Sequence, residues 1–213
     1  MTPSMEPGTR ERILRVAESF LGDHGYHGTR LHEIAERVGI QKASLFHHFA
    51  SKEHLYRAVL DAEMVEIEDT IRSVLEAEGD PFDKVAMIID AYVDMVAARP
   101  QRTKILLRQS LGDAPETYVP PPEAHHVLDM MEAFITEGQR AHVFAPIDPL
   151  ALVLSVSGIV AFFFTSGPVL APAWFADTTD APATERVKRH VRTVVQRCLQ
   201  PARAANGAEG PRG

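Results

Sequence analysis

Ten histidines, a single cysteine and scattered carboxylates are the side chains of this 213-residue chain that could carry covalent, metal or acid–base chemistry. Their spacing favours none of these. Cys198 has no second cysteine to bridge to, which suits a reducing compartment. His125 and His126 are adjacent on a helical stretch, where neighbours point about 100° apart, and no cysteine or carboxylate joins them at ligand spacing. His125 and Asp129 lie four apart, as an acid–base pair would, but a solvated helix face explains them more simply. No Gly-rich phosphate loop, HExxH or GxSxG motif occurs. The reading is therefore no enzyme, no metal and no cofactor.

The histidines belong to a different pattern. His24, His27, His32, His47 and His48, half of the total, fall within residues 1–52. That segment holds seven Lys/Arg against six Asp/Glu, while the remainder holds 15 against 23. A near-neutral head on an acidic body is the asymmetry expected when only the head approaches a polyanion. The overall charge of −7 conceals it.

The elements that must position this head are helical. Apolar residues recur at helical spacing throughout, without strand-like alternation. The pattern predicts a first helix over about 9–24, a short second helix containing Leu31, Ile34, Ala35 and Val38, and a third over 41–48. A long fourth helix runs from Ser51 towards Glu78. Further helices follow near 82–98, 101–111, 123–141 and 148–169, with Pro168 placed to stop that one early, and a last near 184–199. Residues 112–122 read as a loop and 201–213 as a disordered tail. Met1 to Glu11 lacks the apolar run of a signal peptide.

Within the head, Ala35 is small where two helices must cross, Gly39 follows where a positive φ is needed, and Leu45 points back between the helices. This is the spacing of a helix-turn-helix. The surrounding motifs are Ile13-Leu14-x-x-Ala17-x-x-x-Phe20, Gly25-Tyr26-x-Gly28-Thr29, Ile34-Ala35-x-x-x-Gly39 and Lys42-Ala43-Ser44-Leu45-Phe46-His47-His48-Phe49-x-Ser51-Lys52-Glu53-x-Leu55. Over residues 12–55 the chain resembles the DNA-binding domain of TetR-family transcriptional regulators. Beyond that segment it is similar to the family only in its all-helical layout. The family usually carries Tyr where this chain has Phe46, which removes a phenol hydroxyl from any phosphate contact.

The resemblance implies that the third helix enters the major groove of duplex DNA. It makes Gln41 a candidate for bidentate bonding to adenine and gives Ala43 and Ser44 a close backbone approach, with Phe46 and His47 beside them. Lys42, His48 and Lys52 become phosphate partners, and Arg30, His32 and Thr29 hold the backbone at the start of the second helix. Thr29 and Ser51 serve equally well as plain helix caps, and Phe49 reads as core.

The body is read from its longest apolar stretch. Pro149 to Ala176 contains no charged residue, which is long enough to raise a membrane span. Its flanks carry Asp148, Asp177 and Asp180 rather than basic anchors, although Trp174 would suit an interface, and its Ser and Gly content suits close helix packing. A buried subunit seam is the preferred reading, built by the helices at about 148–169 and 184–199 of two chains. The family binds small, usually apolar effectors inside such a body. Met87, Tyr92, Met95, Leu106, Met130, Met131, Phe134 and Phe163 are wall candidates, with Arg108, Gln109, His125 and His126 as polar handles.

The expectation is an all-α protein with a three-helix DNA-binding head over 9–51 and a helical effector-binding and dimerisation body over 52–200. It would be a cytoplasmic homodimeric repressor that leaves a palindromic DNA operator when a small apolar effector binds, with no membrane partner. An activator or architectural DNA-binding protein of the same fold, without effector release, is the alternative.

Overall fold

The computed structural model describes residues 8–173, 175 and 181–201, and all regular structure among them is helical. The expected tail at 201–213, except Pro201, and the flanking residues Trp174, Asp177 and Asp180 lie outside the described residues. The order is α1 (Thr9–Gly28), α2 (Leu31–Val38), α3 (Lys42–His48), α4 (Lys52–Glu76), α5 (Pro81–Ala98), α6 (Pro100–Ser110), α7 (Pro122–Arg140), α8 (Pro149–Leu170) and α9 (Ala181–Leu199).

Local chemistry sets several helix starts. Ser51 Oγ accepts the His54 N–H at 3.0 Å at the head of α4. Asp80 Oδ1 takes the Phe82 N–H at 2.7 Å and Asp148 Oδ1 takes the Ala151 N–H at 2.9 Å, each followed by proline at the first helical position. An acceptor then satisfies an orphan amide while proline fixes φ, and such a cap is worth about 1 kcal/mol.

Two boundaries differ from the periodic reading. α1 continues for another turn beyond a kink at Gly25, whose φ of 73° and ψ of 179° are non-helical. α8 runs through Pro168 to Leu170 rather than stopping early. So close to the C-terminus the ring removes only one ladder bond, and the Ala171 N–H still closes on the Gly167 carbonyl at 2.8 Å.

Two apolar cores organise the chain. The head core joins Ile13, Ala17 and Leu21 of α1 with Ile34, Ala35 and Val38 of α2, Leu45 of α3, and Phe49. It runs on into α4 through Leu55, Tyr56, Val59 and Leu60, and takes Ile105 from α6. The helix that starts at the expected domain boundary therefore belongs to both units. In the body, Val85, Ile89, Val93 and Val96 of α5 pack with Ile135 of α7, Val160 and Phe164 of α8, and Val187, Val191, Val195 and Leu199 of α9. Ion pairs tie α9 to α5, with Lys188 Nζ 2.7 Å from Asp94 and Arg192 Nε 3.1 Å from Asp90.

Candidate nucleic-acid interface

The turn between α2 and α3 follows from three residues. Gly39 adopts the left-handed conformation at φ 79°, ψ 34°. Its N–H bonds the Glu36 carbonyl at 3.0 Å and the Ile40 N–H reaches back to Ala35 at 3.0 Å, so the end of α2 is closed. Ala35 is buried at the crossing, and Leu45 is fully buried between the helices. Arg12 of α1 donates to the Val38 carbonyl at 2.5 Å, bracing the same turn from behind.

This bracing leaves one face of α3 open. Gln41, Lys42, Ala43, Phe46 and His47 are exposed, while Ser44 and His48 are half-buried. Gln41 is the residue preceding the helix, with extended backbone, so it stands at the leading end of the exposed face. Phe46 is 40% exposed, with Lys42 Nζ 5.7 Å from its ring centroid. The His47 and His48 rings meet edge to face at 5.8 Å. Phe49, by contrast, is fully buried and core, with the Arg10 guanidinium 5.3 Å over its ring.

The flanking candidates divide. Arg30 and His32 are exposed at the start of α2. Thr29 is buried, and its hydroxyl donates to the Gly25 carbonyl at 2.7 Å. It closes the end of α1 and is not the N-cap of α2, a position that falls to Arg30. Lys52 is half-buried, its Nζ 4.5 Å over the Tyr26 ring and 3.4 Å from the His27 carbonyl. Burial pulls its ammonium below the usual lysine value, with Asp113 opposing that shift.

The body clamps the head through contacts the sequence did not signal. Arg102 of α6 pairs with Glu18 of α1 at 2.9 Å, both largely buried, and Arg99 stands 3.8 Å from the same carboxylate. Arg108 Nη2 donates to the Asp23 carbonyl at 2.9 Å and Nε to that of Gly22 at 3.2 Å. Beyond α6, Asp113 accepts the His27 N–H at 3.1 Å. Arg57 donates to the Thr117 carbonyl at 2.6 Å, and Thr117 Oγ1 donates to Glu53 at 2.5 Å. Tyr118 then stacks edge-on against Tyr56, which stacks in turn against Tyr26. Burial pushes the phenol of Tyr56 well above its ordinary range. Apart from Tyr26 and Tyr56, these partners lie some 60–86 residues apart in sequence. Gly22 and Gly25 are where α6 and Asp113 come too close for a Cβ.

The effector-wall candidates scatter. Tyr92, Met131, Phe134 and Phe163 pack against the body core. Met95, Met130 and Gln109 are half-buried, and Gln109 Oε1 is buried without a hydrogen bond. Met87 is 54% and Leu106 38% exposed, so the expectation that they face an interior is corrected. On α5 the inward stripe is taken by Val85, Ile88 and Ile89, and on α6 Ile105 takes the buried place next to Leu106. The Arg108 guanidinium is engaged with α1. His126 Nδ1 lies 3.4 Å from Glu68 of α4, and His125 is exposed. Among the described residues, no three His, Cys, Asp or Glu gather as a metal-binding group.

Residues 13–59 match the family model for bacterial regulatory proteins of the tetR family, and residues 81–195 match the tetracyclin repressor-like C-terminal domain. The chain belongs to the TetR family. Like the family as a whole, it is a DNA-binding transcriptional regulator and not an enzyme. It is 26% identical over 196 residues to the HTH-type transcriptional regulator RutR of Escherichia coli K12, covering 90% of this chain and 91% of that one. The ketosteroid transcriptional regulator KstR2 of Mycobacterium tuberculosis shares its fold, with a TM-score of 0.74 at 16% identity over 95% of this chain and 100% of that one. So does AibR, solved in complex with isovaleryl coenzyme A and operator DNA, with a TM-score of 0.66 at 20% identity over 88% and 97%.

Proposed function

We propose that this TetR-family protein is a dimeric repressor that holds a palindromic operator and releases it when a small, mainly apolar effector enters the body. Gln41 reads a base edge, with Ala43, Ser44, Phe46 and His47 alongside. Lys42 and His48 hold phosphates, and Arg30 and His32 hold the backbone on the α2 side. Lys52 is a lesser phosphate partner because Tyr26 and His27 already engage it. The observation that carries the release step is the clamp of α6 and the 112–121 segment on α1 and α4. A shift of α6 cannot leave α1 in place while the Arg102–Glu18 pair and the Arg108 bonds persist.

Dimerisation supplies the spacing. Leu150, Leu154 and Phe162 stand half or more exposed at intervals of four along α8, with Gly158 between them and nothing within 4 Å of the position of a Cβ there. A second copy of this helix would cover that stripe and bring the two α3 elements to successive major grooves, about 34–36 Å apart. α8 is also long and apolar enough to cross a membrane by length and composition, so flotation with vesicles is the control.

Selection from a randomised duplex library is the test. Two inverted half-sites one helical turn apart are expected, and enrichment without symmetry overturns the dimeric reading. Release is tested on the selected duplex with isovaleryl coenzyme A as the first probe, then a panel of apolar acids and acyl thioesters. Operator affinity unchanged across the panel favours the activator or architectural alternative.

A further inference from the structure

The DNA-facing side of the head is short of permanent cations and rich in imidazoles. Of the head's seven Lys/Arg, Arg12 is held by the Val38 carbonyl, and Arg10, Lys42 and Lys52 lie over Phe49, Phe46 and Tyr26. Arg30 and Lys42 are the exposed permanent charges on α3 and at the start of α2, while Arg15 and Arg37 are exposed on α1 and in the last turn of α2. His32, His47 and His48 share that surface, the first two exposed and the third half-buried. Histidine is the side chain whose charge changes between pH 5 and 8.

On this basis we infer that DNA binding by this protein is proton-linked, with His32, His47 and His48 taking up protons as they meet phosphates. The inference rests on the DNA-binding reading and adds to it a chemical signal, acidification, that needs no effector. The His47 and His48 rings lie 5.8 Å apart on one surface, so a single stretch of DNA backbone can reach both. A phosphate beside an imidazole favours its charged form, so the proton is bound more tightly in the complex than in free protein, and by linkage DNA is bound more tightly at lower pH.

The other charges around these rings do not cancel the effect. On α2, Glu33 and Glu36 oppose Arg37 and Arg30. On α1, packed behind α2, Glu11 and Glu18 stand among Arg10, Arg12 and Arg15, and Glu18 is paired with Arg102. From the start of α4 come Lys52, Glu53 and His54, of which Glu53 is paired with Arg57. His54 is excluded from the set, because its Nδ1 accepts the Ala50 N–H at 3.3 Å and a proton there would break that bond.

The test uses the full-length chain and a mixed-sequence duplex of about 30 base pairs, titrated by fluorescence anisotropy at fixed ionic strength near pH 6 and near pH 8. One charged imidazole beside one phosphate in water gives about a fivefold gain, so three predict an affinity at least tenfold tighter near pH 6. The slope of log affinity against log salt steepens as well, by about 0.9 for each added contact. His32→Gln, His47→Gln and His48→Gln together flatten both responses, read as the ratio of affinities and of salt slopes at the two pH values. The three single variants each remove part of the response, so the result does not depend on the triple variant folding. Affinity and salt slope that are equal at the two pH values overturn the inference while leaving the DNA-binding reading intact. No binding at either pH overturns both.

Discussion

Arg102 of α6 and Glu18 of α1 form a 2.9 Å ion pair, with side chains only 7% and 15% exposed, across the joint between the effector body and the DNA-binding head. Arg102→Ala leaves a largely buried carboxylate with the more distant Arg99. A loss of about 3 kcal/mol is expected in denaturant unfolding. Glu18→Gln is expected to be milder, because the amide oxygen still accepts from Arg102 although the counter-charge is lost, and the double variant falls short of the sum of the two singles.

Gly25 sits where the end of α1 meets the segment after α6. Its φ of 73° disfavours any side chain, and a Cβ there would stand within bonding distance of the Asp113 carboxylate. Gly25→Ala is therefore expected to lower stability by more than about 2 kcal/mol in thermal unfolding. Adding Asp113→Ala relieves the clash and leaves the backbone strain, so recovery is partial.

Lys42 and Lys52 are expected to separate in salt titrations. Lys42 is exposed on α3, so Lys42→Ala should reduce the slope of log affinity against log salt by about 0.9 per head. Lys52 is held over Tyr26, so Lys52→Ala should change the slope less and should lower the melting temperature of the head.

Asp61, on α4, has its carboxyl raised above the ordinary value of 3.8 by burial and then by Glu123, against the pull of Arg57 and His54. A raised carboxylate binds its proton more tightly in the folded state, so stability falls as pH climbs from 3.8 through the folded value and stays lower above it. Asp61→Asn should then raise the melting temperature at neutral pH, and the advantage should close as the pH falls below about 4. An advantage that grows on acidification contradicts this sign.

Phe162→Glu places a charge at the C-terminal end of the exposed Leu150–Leu154–Phe162 stripe of α8. On the proposed dimer, sedimentation should show the parent chain as a dimer and the variant as a monomer, with the helical circular dichroism unchanged. Operator affinity should fall steeply, because two heads no longer bind as one unit.

The recognition unit was legible because its determinants are local. Ala35, Gly39 and Leu45 fix a helix-turn-helix within eleven residues, and the exposed face of α3 follows from which residues that packing leaves over. Caps at Ser51, Asp80 and Asp148 announce helix starts for the same reason. Wall candidates such as Met87 and Leu106 went astray because residue type marks an apolar side chain without saying which face of its helix is inward, and a one-position offset sends it to solvent.

The sequence alone determined the helical class, the helix-turn-helix head and which side chains of α3 its packing leaves exposed, since helical period, caps and a short turn are properties of neighbouring residues. Only the tertiary structure decided that Lys52 folds back on Tyr26 and that Arg102, Arg108, Asp113 and Tyr118 clamp the head to the body. Those contacts join residues far apart in the chain, and which of them meet is set by how the helices cross rather than by any local preference.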